Sequence, residues 1–480
     1  MSIERLNTQS VEPKGRPVGG TEYSWCQAVP GGTGIAVLAI LSSKAPNISH
    51  LQTAINQLQN SHPILKSRLN SNTTTNTISF ITSPTPFVQV KSFTIPSTLS
   101  IIGSLSIPTN HSISPFHLIL EHELYQNTWS STSSPNNHTC TNTNDMFFAT
   151  TYALPSTKYV LVFRLHASAC DRTTAVSLLR ELLELVSEKV GGGLVYEIGN
   201  NKGEVSLKIE DLIPNGKAKK PLWSRGVDML SYSVSSLRLT NLKFKDTRSP
   251  RSSQVVRLQM NQNETEKILA GCKSRGIKLC GALVAAGLIA AYSSKRRLDN
   301  QRKKYGVVTL TDCRSIPDPA LSSHHFGFYH SAILNTHLIK GGEKLWELAQ
   351  KTYMAFANSK NSNKHFSDMA DLNFLMCKAI ENPSLIASSS LRTSFMSVFE
   401  DPVIDQSNDM QHEVGLEDYM GCASVHGVGP SIAMFDTVRD GKLDCVCVYP
   451  APLHSREQMQ ELIDNMKAVL VNGIVANHVG

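Results

Sequence analysis

KYVLVFRLHASACDRTTAVSLLRELLELVSEKVGGG, residues 158–193, carries a strand pattern, a polar corner and a helix pattern within one short span. From Tyr159 to Leu165 every residue but Arg164 is apolar, aromatic or β-branched, which reads as a strand buried on both faces. Val176, Leu179, Leu182, Leu183 and Val186 then recur at helical spacing, with Thr173 or Thr174 as the expected cap and Gly191, Gly192 and Gly193 as the stop. Between the two lies HASACD, His166 to Asp171. A buried strand that delivers a histidine and an aspartate to a sharp turn suits chemistry, and it suits core construction equally.

At 480 residues the chain exceeds what one hydrophobic core fills, so two domains of similar size are expected. The formal charge of +7 is spread thinly, in basic clusters at 215–225 and 293–304 that alternate with acidic helices. Without the regular aromatic interleaving of a stacking platform, these read as solvated faces and not as a nucleic-acid surface, and an anionic cofactor stays open. The N-terminus has no apolar secretory segment and the C-terminus no retention tag, so the cytosol is the expected compartment. Ten cysteines occur without a CxxC pair or a zinc-type His/Cys ladder, which argues against a disulfide framework and a metal site. The longest near-apolar run, residues 280–292, is too short for a bilayer and reads as a buried helix.

Outward from the corner, both halves mix strands and helices. Ile48, Leu51, Ile55 and Leu58 mark a helix that Pro63 ends, and residues 71–110 mix short β-rich runs with Ser, Thr and Pro. Residues 127–145 form a polar loop without periodicity, to which no function is assigned. Phe147 to Ala153 and Tyr159 to Leu165 read as a hairpin feeding the corner. Residues 211–255 read as a crossover, a fresh strand VVRLQM opens the second half, and a helix pair broken near Gly276 follows. A hairpin with Arg439, Asp440 and Gly441 at its tip precedes the last helix. The expected division is a domain over 1–210, a linker over 211–255 and a second domain over 256–480.

The order HPILKSRL, HASACD, VVTLTDCRS, HHFGFYHSAIL and a terminal hairpin and helix resembles the HxxxD acyltransferase superfamily, which includes plant BAHD acyltransferases, alcohol acetyltransferases and peptide-synthetase condensation domains. The resemblance covers nearly the whole chain. It implies an α/β chain of two chloramphenicol-acetyltransferase-like domains with an interdomain tunnel, where a histidine acts as general base on an acceptor hydroxyl or amine that attacks a thioester. Imidazole fits that task because it titrates near neutrality. The resemblance further implies acyl-CoA as cosubstrate with no tightly bound cofactor, a small-molecule acceptor in specialised metabolism, and a monomer. The family's DFGWG loop is not recognisable near HGVGP, which places the chain nearer the condensation and alcohol acetyltransferase branch.

One departure stands out. The position four residues before Asp171 is Ala167, and the histidine lies one place earlier at His166. One residue along a strand turns a side chain to the opposite face. His166 is therefore read two ways, as the catalytic histidine or as a buried, hydrogen-bonded support. Asp171 is expected in an ion pair with Arg314, from the TDCRS segment that resembles the family's Asp-x-Arg strand end, with Asp312 joining the network or capping the turn. Cys170 is an inert buried thiol or, less in keeping with its apolar setting, a nucleophile. His330 and His426 belong to segments that line the tunnel in relatives, where either supplies the missing base or a polar wall. The sequence thus leaves three readings: a CoA-dependent acyltransferase, the same fold running a CoA-independent condensation, cyclisation or rearrangement, and a noncatalytic ligand-binding or scaffold protein.

Overall fold

The computed structural model describes residues 14–72, 75, 77–105, 113–130, 143–155, 157–187, 205–221, 223, 239–293, 302–383, 390–407 and 409–476. The corner strand, Tyr159–His166, sits at the centre of a five-stranded sheet in the order Leu416–Val425, Thr33–Ser42, Tyr159–His166, Phe147–Ala153, Val90–Phe93. All neighbours are antiparallel except the last pair. Its one charged residue, Arg164, is tolerated inside because Nη1 donates to the buried Glu123 carboxylate at 3.1 Å and the guanidinium lies over the Phe148 ring.

The second large sheet runs His330–Ile339, Lys303–Asp312, Arg392–Phe399, Gly429–Arg439, Lys442–Ala451, Ser252–Gln259, with Val403–Asp405 beside Gly429–Arg439. Helices Leu279–Ser293, Leu345–Asn361 and Arg456–Ala476 pack with it into one core. The Ala/Gly-rich composition of Leu279–Ser293 serves close approach, since a methyl on Gly281 would lie 2.9 Å from the Ala349 carbonyl oxygen. A smaller sheet, Gly15–Pro17, Thr77–Thr82, Ser67–Asn72, Thr143–Asp145, flanks the first half. Among the described residues no single helix is long and apolar enough to cross a membrane.

Several sequence readings reappear as structure. The hairpin Phe147–Ala153 with Tyr159–His166 forms in register, Gly276 at φ +61° separates Gln262–Ser274 from Leu279–Ser293, and Asp440 and Gly441 turn the last hairpin at φ +49° and +73°. Others need correction. The helix Arg172–Val186 is capped by Asp171, whose carboxylate accepts the Thr174 N–H at 2.8 Å, and not by a threonine; carboxylate is the stronger acceptor and the chain leaves extended geometry there. Ile95–Leu105, within the stretch read as β-rich, is a helix, because Pro96 suits a first turn and the Thr94 carbonyl receives the Thr98 N–H. The strand Ser252–Gln259 begins inside the segment assigned to the linker. The glycine stop at 191–193 lies outside the described residues.

The two halves are not separable in space as they are in sequence. Leu416–Val425, from the second half, pairs along the edge of Thr33–Ser42 in the first sheet. Ion pairs Arg172 with Asp436 and Arg456 with Glu121 also cross between the halves, and Arg257 reaches Asp418 on the strand that joins the first sheet.

Candidate active site

Where the two large sheets face each other they enclose a cavity of about 160 Å³. Its walls come from Thr33–Ser42 and Leu416–Val425 on one side and from Arg392–Phe399 and Gly429–Arg439 on the other, and Trp25, Phe328, Phe399 and Phe435 make it largely apolar. The corner supplies Leu165, Ala167, Cys170, Asp171 and Arg172 to the lining.

Alternation along the strand decides what the corner presents. Leu165 and Ala167 line the cavity, and His166 between them does not. The His166 side chain is buried elsewhere, with Nδ1 2.7 Å from Ser168 Oγ and accepting the Ser168 N–H at 3.2 Å, and its ring edge-on to Trp129 at 5.2 Å. Burial pushes its pKa down to about 3, so the ring is neutral at physiological pH. This is the support geometry, and the alternative placing of His166 as the reacting base does not match it.

Asp171 is the hub. Its Oδ1 accepts Thr174 N–H at 2.8 Å and Arg314 Nη2 at 3.0 Å; its Oδ2 accepts Arg314 Nη1 and Tyr329 N–H, both at 2.8 Å, and meets His330 Nδ1 at 3.0 Å. Burial alone would raise this carboxyl, but Arg314 and then His330 hold it well below the usual carboxylate range. The pair anticipated from sequence is therefore present, and it ties the two halves together. Asp312 fills both roles foreseen for it: Oδ1 accepts the Arg314 N–H at 3.0 Å, capping the turn, and both oxygens lie 3.2 Å from Arg314 Nη1.

His330 opens the strand His330–Ile339 and lines the cavity, with its ring edge-on to Phe399. An ionised carboxylate only accepts, so His330 Nδ1 carries the proton of the Asp171 contact, and in a neutral ring the lone pair then lies on Nε2. No described residue hydrogen-bonds that Nε2.

The other two candidates are passive. Cys170 lines the cavity, but burial first, then Asp171, push its thiol far above the ordinary range, so thiolate is not at hand. His426 lies outside the lining, with Nδ1 3.0 Å from Ser253 Oγ, and burial followed by the charge of Arg392 brings it down to about 4.

Four participants escaped sequence reading. Arg172, next to Asp171, lines the cavity and is tied to Asp436 Oδ1 at 3.0 Å and to the Asp436 carbonyl. Trp25 and Thr33 come from segments with no motif, and Trp129 lies in the polar loop given no function. Only Arg172 had a signal, a charge placed directly beside the corner aspartate.

A scan against family models finds no match, and no curated protein matches the sequence. Solved structures do. Trichothecene 15-O-acetyltransferase from Fusarium sporotrichioides aligns with a TM-score of 0.67 at 11% identity, over 96% of this chain and 95% of that one. The epimerization domain from the third module of tyrocidine synthetase B aligns at 0.59 and 12%, over 98% of each. The X-domain from teicoplanin biosynthesis aligns at 0.57 and 13%, over 98% and 96%. The chain therefore has the fold expected from its resemblance, the two-domain α/β architecture shared by an acetyltransferase and peptide-synthetase domains.

Proposed function

We propose that this chain is an acyltransferase that moves an acyl group from a coenzyme A thioester to a hydroxyl or amine of a small molecule, with His330 as general base in place of the residue missing at Ala167. The observation that carries the proposal is the buried Asp171 to His330 Nδ1 contact, made by a histidine that lines the cavity between the two sheets and whose Nε2 no described residue hydrogen-bonds. In that geometry Asp171 holds tautomer and orientation and stabilises the imidazolium that forms. The base removes the acceptor proton as oxygen or nitrogen attacks the thioester carbonyl, then returns it to the departing thiolate. Apolar walls exclude water, which suppresses thioester hydrolysis. The full-length likeness in fold to an acetyltransferase supports the reaction class.

A panel of acyl-CoA donors and small alcohols and amines, followed by release of free thiol, tests the proposal. Turnover is expected, and His330→Ala should lower it by about 10²–10⁴-fold, the usual span for a positioned acid or base. No turnover with any donor overturns it. The second reading, a noncatalytic binder, has one observation in its favour, the alanine at the wall position where the resemblance places the base. It is favoured instead if ligands bind and no thiol appears.

A further inference from the structure

Two glycines line the cavity, and they are there for different reasons. Gly34 is required by the fold, because its φ of +93° is left-handed and a methyl on it would lie 2.8 Å from the Trp25 ring and 3.0 Å from Ala167 Cβ. Gly421 meets neither condition. It sits inside the strand Leu416–Val425 without a positive φ, directly opposite Leu38, and a methyl built on it would find one atom within 4 Å, Leu38 Cδ1 at 3.8 Å. Glycine inside a strand weakens it, and its usual reasons are a bulge, a sharp bend, or the close approach of another backbone or a ligand. Here the pairing runs unbroken from Asp418 to Ala423, its irregularities lie at 416–418 and 423–425, and no backbone comes near. Of those reasons, room for a ligand is the one left.

The chemistry around that room is apolar. Ala36 and Ala423 stand opposite each other on the same two strands, and Phe399 and Phe435, whose ring centroids are 5.4 Å apart, belong to the wall across the cavity. The charged residues of the lining are already engaged, Asp171 by Arg314 and His330, and Arg172 by Asp436. The Tyr419 hydroxyl donates to Asp405 at 2.8 Å. Neither charge is left to pair an ionic ligand, and burying an ion unpaired is costly.

We infer that Gly421 sets the size of the group this cavity admits, and that the group is uncharged, apolar and no larger than a single ring or a short branched chain. The cavity of about 160 Å³ is close to the apolar space of about 150 Å³ that accommodates benzene. A side chain at position 421 would take part of that space away. Size selection stands on the cavity alone. That the selected group is the acyl part of the donor rests on the acyl-transfer reading above, because coenzyme A itself is far larger than the cavity.

Calorimetric titration of the full chain with benzyl alcohol tests the size selection. The parent should bind it, Gly421→Ala should bind it more weakly, and Gly421→Leu should bind it about tenfold or more weakly, as expected where a methylene or two of room is lost. Both variants should melt at or above the parent's denaturation midpoint, because their side chains enter open space and relieve the strand of its glycine. No binding by the parent, or an affinity unchanged in Gly421→Leu, overturns the inference. So does a variant that melts lower or fails to fold, since that would show the place to be packed. With acyl-CoA donors, Gly421→Leu should lower kcat/KM for benzoyl-CoA relative to acetyl-CoA by about tenfold or more; an unchanged ratio removes the assignment to the acyl group. Binding that follows size without turnover of any acyl-CoA would sink the acyl-transfer reading alone, and turnover with benzyl alcohol binding indifferent to Gly421→Leu would sink the size selection alone.

Discussion

At the scale of single residues, the corner divides labour between neighbours that look interchangeable in sequence. His166 and Ala167 differ by one step along a strand, and that step sends the imidazole into the core and the methyl to the cavity. The consequence is measurable in stability. Folded His166 is pushed down to about 3, whereas an unfolded chain titrates histidine near 6.5. Below about 6.5 the unfolded chain takes up the extra proton first, so this contribution is intact above that pH and falls as pH drops toward the folded value, by about 1.4 kcal/mol per unit. His166→Gln keeps an acceptor for the Ser168 N–H and removes the titration. Urea unfolding from pH 6 to 4 should therefore show a shallower loss of stability in the variant by about that slope, and parallel curves would contradict the burial assigned to this ring. Asp171 acts with the same sign at lower pH, since its depressed carboxyl stabilises the fold above its unfolded pKa and ceases to as it protonates.

At the scale of elements, the strand, corner and helix were legible because their periods are strong, and the Asp171 to Arg314 pair was legible from its place at a strand end. The misread elements have separate causes. Ile95–Leu105 lies in a stretch of Ile, Thr and Ser that reads as β-rich, yet Pro96 in the first turn and the Thr94 carbonyl start a helix there. Trp129 was hidden in a segment that is otherwise almost entirely polar, although its ring packs edge-on against the buried His166. That His330, and neither His166 nor His426, meets Asp171 was not available to sequence, because it depends on three chain segments meeting at one carboxylate. Gly34 illustrates how tightly the strand Thr33–Ser42 is held against the corner: it sits at φ +93°, and a methyl there would lie 2.8 Å from the Trp25 ring and 3.0 Å from Ala167 Cβ. Gly34→Ala should cost about 1–3 kcal/mol from overpacking and backbone strain, read as a lowered denaturation midpoint. An unchanged midpoint would mean that this wall yields more easily than its contacts imply.

At the scale of the whole molecule, the chain is a two-part architecture whose parts exchange an element. Removing everything after residue 210 would strip Leu416–Val425 from the first sheet and expose the apolar edge of Thr33–Ser42. Fragment 1–210 should accordingly be insoluble or unfolded by near-ultraviolet circular dichroism, and a soluble, cooperatively melting fragment would show that the first sheet closes without the second half. The same exchange explains why the cavity has walls from both halves, and why its candidate base, His330, and the carboxylate that orients it, Asp171, come from opposite sides of the sequence. The proposal puts the reacting imidazole at His330, where the second sheet meets the cavity, and not at His166 in the corner. Initial rates of thiol release for His330→Ala and His166→Gln, compared side by side with one accepted acyl-CoA, test it most directly. A loss of about 10²-fold or more in the first variant, with the second within a few-fold of the parent, is the expected result; a catalytic loss confined to His166→Gln would contradict it.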